Sequence, residues 1–79
     1  MKVKVKFFAQ LQDQSGESEI SLQLENGVVI RDLLSCLNKK FHKINLKSIM
    51  VSVNSEYAKN DLKLKDGDIV ALIPPVGGG

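Results

Sequence analysis

The chain has one cysteine, one histidine and no tryptophan, and each scarcity removes a class of function. A lone Cys36 excludes an internal disulfide, and thiolate metal sites need several cysteines or histidines at set spacings, so no metal is expected. No run approaches the roughly 20 apolar residues of a membrane span, and the lysines at the start precede a strand pattern rather than a signal-peptide core. The chain therefore reads as cytoplasmic, without a membrane partner. Charge of neither sign dominates: eleven basic against nine acidic residues leave +2, too weak a field to recruit nucleic acid unless the lysines converge. No glycine pattern stands between a strand and a helix with a following Lys and Ser/Thr, which excludes a phosphate-binding loop; this chain alone does not handle ATP.

What remains is enough for one small core. At 79 residues a second domain or a multi-step catalytic apparatus with its own substrate cleft is not expected, while an apolar share of 43% suits a folded chain rather than a disordered one. Residues 1–8 alternate Lys2, Lys4 and Lys6 with Val3, Val5 and Phe7, the period of a half-buried strand. Residues 9–14 are amphiphilic but short, and Gly16 closes them. The alternation then resumes through Ile20, Leu22 and Leu24, which predicts an antiparallel hairpin with a long loop.

Glu25-Asn26-Gly27 is a turn signal, and a helix is predicted over 30–41 from the spacing of Ile30, Leu33, Leu34, Leu37 and Phe41. Leu33, Leu34 and Leu37 should be largely buried. Asp32 near its start and Lys39 and Lys40 near its end oppose the helix dipole, but Val29 at the N-cap position has no side-chain oxygen for an orphan N–H. Residues 49–53 read as a strand ending in the turn Asn54-Ser55-Glu56-Tyr57, with a short strand around 62–64. Lys65-Asp66-Gly67-Asp68 is a strong turn before a last strand over 69–73, which Pro74 terminates. Two strands, a helix and further strands describe an α+β fold: a ubiquitin-like β-grasp with a four- to five-stranded mixed sheet and one main helix on one face. Residues 1–73 form that domain, and 74–79 an extended, flexible C-terminal tail.

Most side chains that could carry chemistry have a simpler role. His42 beside Lys40 and Lys43 is read as a cation facing the helix end, Cys36 as a small, partly buried hydrophobe, and Asp66 and Asp68 as turn residues. Two features resist such readings. The last strand is apolar throughout, Ile69-Val70-Ala71-Leu72-Ile73, although one helix covers only one sheet face; Phe8, opposite in direction to Phe7, adds to the uncovered side and points to a protein interface. The second feature is the ending Pro74-Pro75-Val76-Gly77-Gly78-Gly79. The prolines stiffen the exit from the sheet, and the glycines make a thread without Cβ atoms that fits a narrow tunnel. Six residues at roughly 3.3–3.6 Å each would carry the Gly79 carboxylate about 20 Å into another protein.

The segment Phe7-Phe8-Ala9, the stretch Leu64-Lys65-Asp66-Gly67-Asp68 and above all Val70-Ala71-Leu72-Ile73-Pro74-Pro75-Val76 running into glycines resemble the small, sulfur-carrier subunit of molybdopterin synthase. The resemblance spans essentially the whole chain, and its most specific part is the Pro-Pro-Val-x-Gly-Gly ending. It implies that Gly79 is adenylated by a ubiquitin-activating-like adenylyltransferase using ATP and converted to a thiocarboxylate with sulfur from a donor protein. The thiocarboxylate then donates sulfur to cyclic pyranopterin monophosphate in the large subunit, within a heterotetramer. It further implies that Gly78 completes the diglycine thread and Gly77 takes the variable position. Phe8, Leu72 and Pro74-Pro75-Val76 would meet the large subunit, which would also supply the catalytic lysine and pterin pocket, so that the small chain is no enzyme on its own and binds no cofactor. Gly77, often a larger small residue, and Val29, where Ser or Thr is expected, depart from the family pattern. Alternatives are a ubiquitin-like protein modifier, a sulfur carrier for thiamine synthesis or tRNA thiolation, and a plain β-grasp adaptor.

Overall fold

The computed structural model describes residues 1–75. In chain order the elements are β1 (Lys2–Phe7), α1 (Gln10–Ser15), β2 (Glu19–Gln23), α2 (Ile30–Lys40), β3 (Met50–Val53), β4 (Glu56–Tyr57) and β5 (Ile69–Ile73). The strands form one mixed sheet ordered β2-β1-β5-β3-β4, in which β1 and β5 run parallel and the other neighbours antiparallel. A parallel pair needs a long crossover, and the chain between β1 and β5 supplies it with α2 on one sheet face. This is the expected α+β β-grasp.

The alternation in the sequence decides which side chains meet that helix. Val3, Val5 and Phe7 of β1 and Val70 and Leu72 of β5 are buried with Ile30, Leu33 and Leu37 of α2 in a single core. Each such side chain stabilises by roughly 1.5–3 kcal/mol relative to an exposed one. Leu34, expected inside, is only partly buried at the margin of the helical stripe. The helix stops at Lys40, one residue before the expected end, and Phe41 becomes its C-cap with its N–H donating to the Leu37 carbonyl. The Phe41 ring nonetheless meets Phe7 edge to face, with centroids 5.6 Å apart.

At the other end of α2 the missing hydroxyl is made good from elsewhere in the chain. The Asp32 carboxylate accepts the Val29 N–H at 3.3 Å, and the carbonyls of Leu62 and Asn60 accept the Ile30 and Arg31 N–H groups at 3.1 and 2.9 Å. Orphan donors of the first turn are thus satisfied by backbone rather than by a cap side chain. The same contacts explain why the strand expected around 62–64 is reduced to an isolated bridge between Lys63 and Val29. That segment spends its backbone groups on the helix start.

The amphiphilic stretch after β1 becomes α1, anchored by fully buried Leu11. Reaching that geometry puts Ala9 at φ 51°, ψ −132°, a conformation suited to glycine. Strain of this kind costs about 1–3 kcal/mol, comparable to the roughly 1.5–3 kcal/mol gained by burying Leu11. Asn54 and Ser55, both at positive φ, form a two-residue hairpin turn between β3 and β4, so Glu56 and Tyr57 belong to a strand rather than to the turn. Among the described residues no helix is long and apolar enough to cross a membrane.

Candidate functional site

The sheet face away from α2 is built by the other half of each alternation. On β5, Val70 and Leu72 point to the core while Ile69, Ala71 and Ile73 point outward, Ile69 being 41% exposed. Cross-strand register sets their neighbours: Lys4 and Lys6 of β1 lie opposite Ile69 and Ala71, and Ser52 and Met50 of β3 lie opposite Ala71 and Ile73. Phe8 leaves β1 on this side, its N–H donating to the Leu72 carbonyl at 3.3 Å, and its ring is 43% exposed. Phe8, Met50, Ile69, Ala71 and Ile73 therefore share one apolar surface in the middle of the sheet, the kind of contiguous patch that marks a protein interface.

Phe8 stands where the sequence placed it, whereas Leu72 requires correction. Leu72 has no exposed surface and belongs to the core. It follows β5 inward with Val70, and Ile73 takes the outward place beside the tail. Met50, 44% exposed, was missed. Its alternation with Val51 and Val53 was readable, but only the pairing of β3 with β5 puts it beside Ile73.

The start of β5 is tied to the neighbouring turns by hydrogen bonds. Asn54 donates its N–H to the Ile69 carbonyl at 2.8 Å, and its side-chain oxygen accepts the Ile69 N–H at 3.0 Å. Asp68 accepts the Asn54 side-chain amide at 2.9 Å and the Lys65 N–H at 2.7 Å, while Asp66 accepts the Lys2 N–H at 2.7 Å. Asp68 thus closes the turn through Lys65, as expected of a turn residue, while Asp66 and the second oxygen of Asp68 tie that turn to β1 and to the β3–β4 turn. Gly67 closes the turn at φ 86°, a backbone conformation that glycine adopts without strain.

β5 ends at Ile73, at the edge of the apolar surface. After it Pro74 is buried and Pro75 exposed. Val76, Gly77, Gly78 and Gly79, the remaining tail positions singled out in the sequence, lie outside the described residues. Cys36 is a further correction: it is exposed rather than partly buried, because on α2 it lies roughly a quarter of a turn from the centre of the Ile30, Leu33 and Leu37 stripe. His42 is exposed in the turn after the helix, where the Phe41 N–H rather than a histidine cation meets the last carbonyls. Among the described residues no group of three or more His, Cys, Asp or Glu could hold a metal ion. What the described residues present is an apolar surface on the outer sheet face.

The model of the ThiS family matches residues 5–79. The chain is 35% identical to the molybdopterin synthase sulfur carrier subunit of Chlamydomonas reinhardtii, with 100% of both proteins covered. Among solved structures it is similar to a putative molybdopterin converting factor subunit 1 from Pyrococcus furiosus (34% identity, TM-score 0.85, 96% of this chain and 99% of that one). It is also similar to the small archaeal modifier protein 1 from Methanosarcina acetivorans (28%, TM-score 0.81, 99% and 96%). A chain of the complex of subunits 1 and 2 of molybdopterin-converting factor from Helicobacter pylori matches at 27% identity and TM-score 0.69 over 100% of both chains.

Proposed function

Since the chain belongs to the ThiS family, as a ubiquitin-like sulfur carrier of the molybdopterin synthase kind, we propose that it works through the carboxylate of Gly79. A carboxylate is a poor electrophile. Adenylation by a ubiquitin-activating-like enzyme, with release of pyrophosphate from ATP, turns it into an acyl adenylate. A hydrosulfide equivalent from a sulfur-donor protein then displaces AMP and leaves a thiocarboxylate. The tail carries that sulfur into the large subunit, where cyclic pyranopterin monophosphate receives it and hydrolysis of the spent acyl group restores the carboxylate. Acid–base groups and the pterin pocket belong to the large subunit, and the small chain contributes the docking surface, the leash and the sulfur.

The observation that carries this reading is the adjacency of surface and leash. The apolar face of Phe8, Met50, Ile69, Ala71 and Ile73 runs to the edge where Pro74 is buried and Pro75 is exposed. A partner seated on that face has the start of the tail at its border. The five residues from Pro75 to Gly79 reach roughly 16–18 Å if extended, enough to place the last carboxylate inside a partner. The similarity to an archaeal modifier protein favours one second reading, in which Gly79 forms an isopeptide bond with lysines of target proteins.

Reconstitution separates the two. Incubation with the activating enzyme, ATP and a sulfur source should raise the intact mass by about 16 Da, one oxygen exchanged for sulfur, and the product should form molybdopterin with the large subunit. Lysine conjugates without that mass gain would select the modifier reading. Deleting Gly79 should abolish transfer, because the chain then ends roughly 3.5 Å short of the partner's reactive groups. Full transfer by the shortened protein would overturn the proposal.

A further inference from the structure

Two cations of β1, Lys4 and Lys6, stand on the outer face beside the apolar surface, and the sulfur-carrier reading supplies no use for Lys6. Lys6 points outward from β1, opposite Ala71 of β5 and Glu19 of β2. With Phe8, Ser52, Ile69, Ala71 and Ile73 it lines a concavity of about 320 Å³. The side chain is half-buried there. Its neighbour Lys4 takes the available carboxylate, pairing with Glu19 at 3.4 Å, and among the described residues no acidic group lies within ion-pair distance of the Lys6 ammonium.

Any protein that covers Phe8, Ile69 and Ile73 also removes Lys6 from water. An ammonium desolvated against apolar side chains opposes association strongly unless a counter-charge meets it, and the same ammonium met by a carboxylate is accommodated. Resting on the reading above, in which the large subunit covers this face, we infer that Lys6 is a specificity-determining contact and that the large subunit places an Asp or Glu carboxylate over the concavity. The patch then recognises an apolar surface carrying one acidic group, and a surface that is apolar alone is rejected by the cost of stranding the lysine.

The test is the sign of a single change. Binding of the full-length chain to the large subunit from the same organism is measured by titration calorimetry at low and high salt, for the wild type, Lys6→Met and Lys6→Arg. Lys6→Met keeps the apolar stem and removes the charge, so a facing carboxylate is left buried and unpaired. Affinity should fall at least roughly thirtyfold and lose much of its salt dependence, while Lys6→Arg should bind within a few-fold of wild type. Thermal melting of each free variant should match the wild type, since the substituted atoms lie on the solvent side. If Lys6→Met binds as tightly as wild type or tighter, no carboxylate meets Lys6, and the inference fails while the sulfur-carrier reading stands. If the wild type does not bind the large subunit, the reading and the inference fall together.

Discussion

Leu72 and Ile73 are consecutive on one strand, yet they should fail in different assays when truncated. Leu72 has no exposed surface and is packed in the core with Val5, Phe7 and Leu33. Leu72→Ala removes about three carbons at roughly 0.8 kcal/mol each, and the cavity left behind raises the cost to about 3–4 kcal/mol. A chain of this length has a total stability of about 4–12 kcal/mol, so the variant loses a quarter or more of it. At roughly 4–8 °C per kcal/mol the melting temperature should fall by about 12–30 °C. Ile73→Ala acts on the outward side, where Ile73 is half-buried beside Met50. Its stability should change by about 1 kcal/mol at most, while affinity for the large subunit drops. Urea denaturation with an unchanged slope measures the first quantity, and titration calorimetry on the folded variants the second. The opposite pattern, with Leu72→Ala melting like wild type and failing to bind while Ile73→Ala unfolds, would mean that β5 sits one residue out of the register described. Every inward and outward assignment on that strand would then be reversed.

Two further outcomes follow from local geometry. Ala9→Gly should stabilise the chain by about 1 kcal/mol, because glycine adopts φ 51°, ψ −132° without a Cβ clash; a lowered midpoint in urea would show that Ala9 is unstrained. Cys36, exposed on α2, should react with an aromatic disulfide reagent in the native protein nearly as fast as in the denatured one. Protection that disappears only on unfolding would place the thiol inside.

Much of this protein was decided by its sequence. The period-two alternation of 1–8 and the helical spacing from Ile30 to Leu37 require those elements with those faces inward, since each apolar stripe has a single way to leave water. The apolar continuity of 69–73 likewise announced an uncovered sheet face, and Pro74 the end of the last strand. Residue-level placement needed the tertiary structure. A fully apolar strand carries no alternation, so nothing in Ile69-Val70-Ala71-Leu72-Ile73 says which side chains face the core; register against β1 and β3 does, sending Leu72 inward and Ile73 outward. Met50 joins the apolar surface, and Lys6 stands within it with no ion-pair partner among the described residues, because strands distant in sequence become neighbours. The start of α2 was settled in the same way. Val29 lacks a cap oxygen, and the carbonyls that replace it come from Asn60 and Leu62, about thirty residues away, a compensation that local sequence cannot encode.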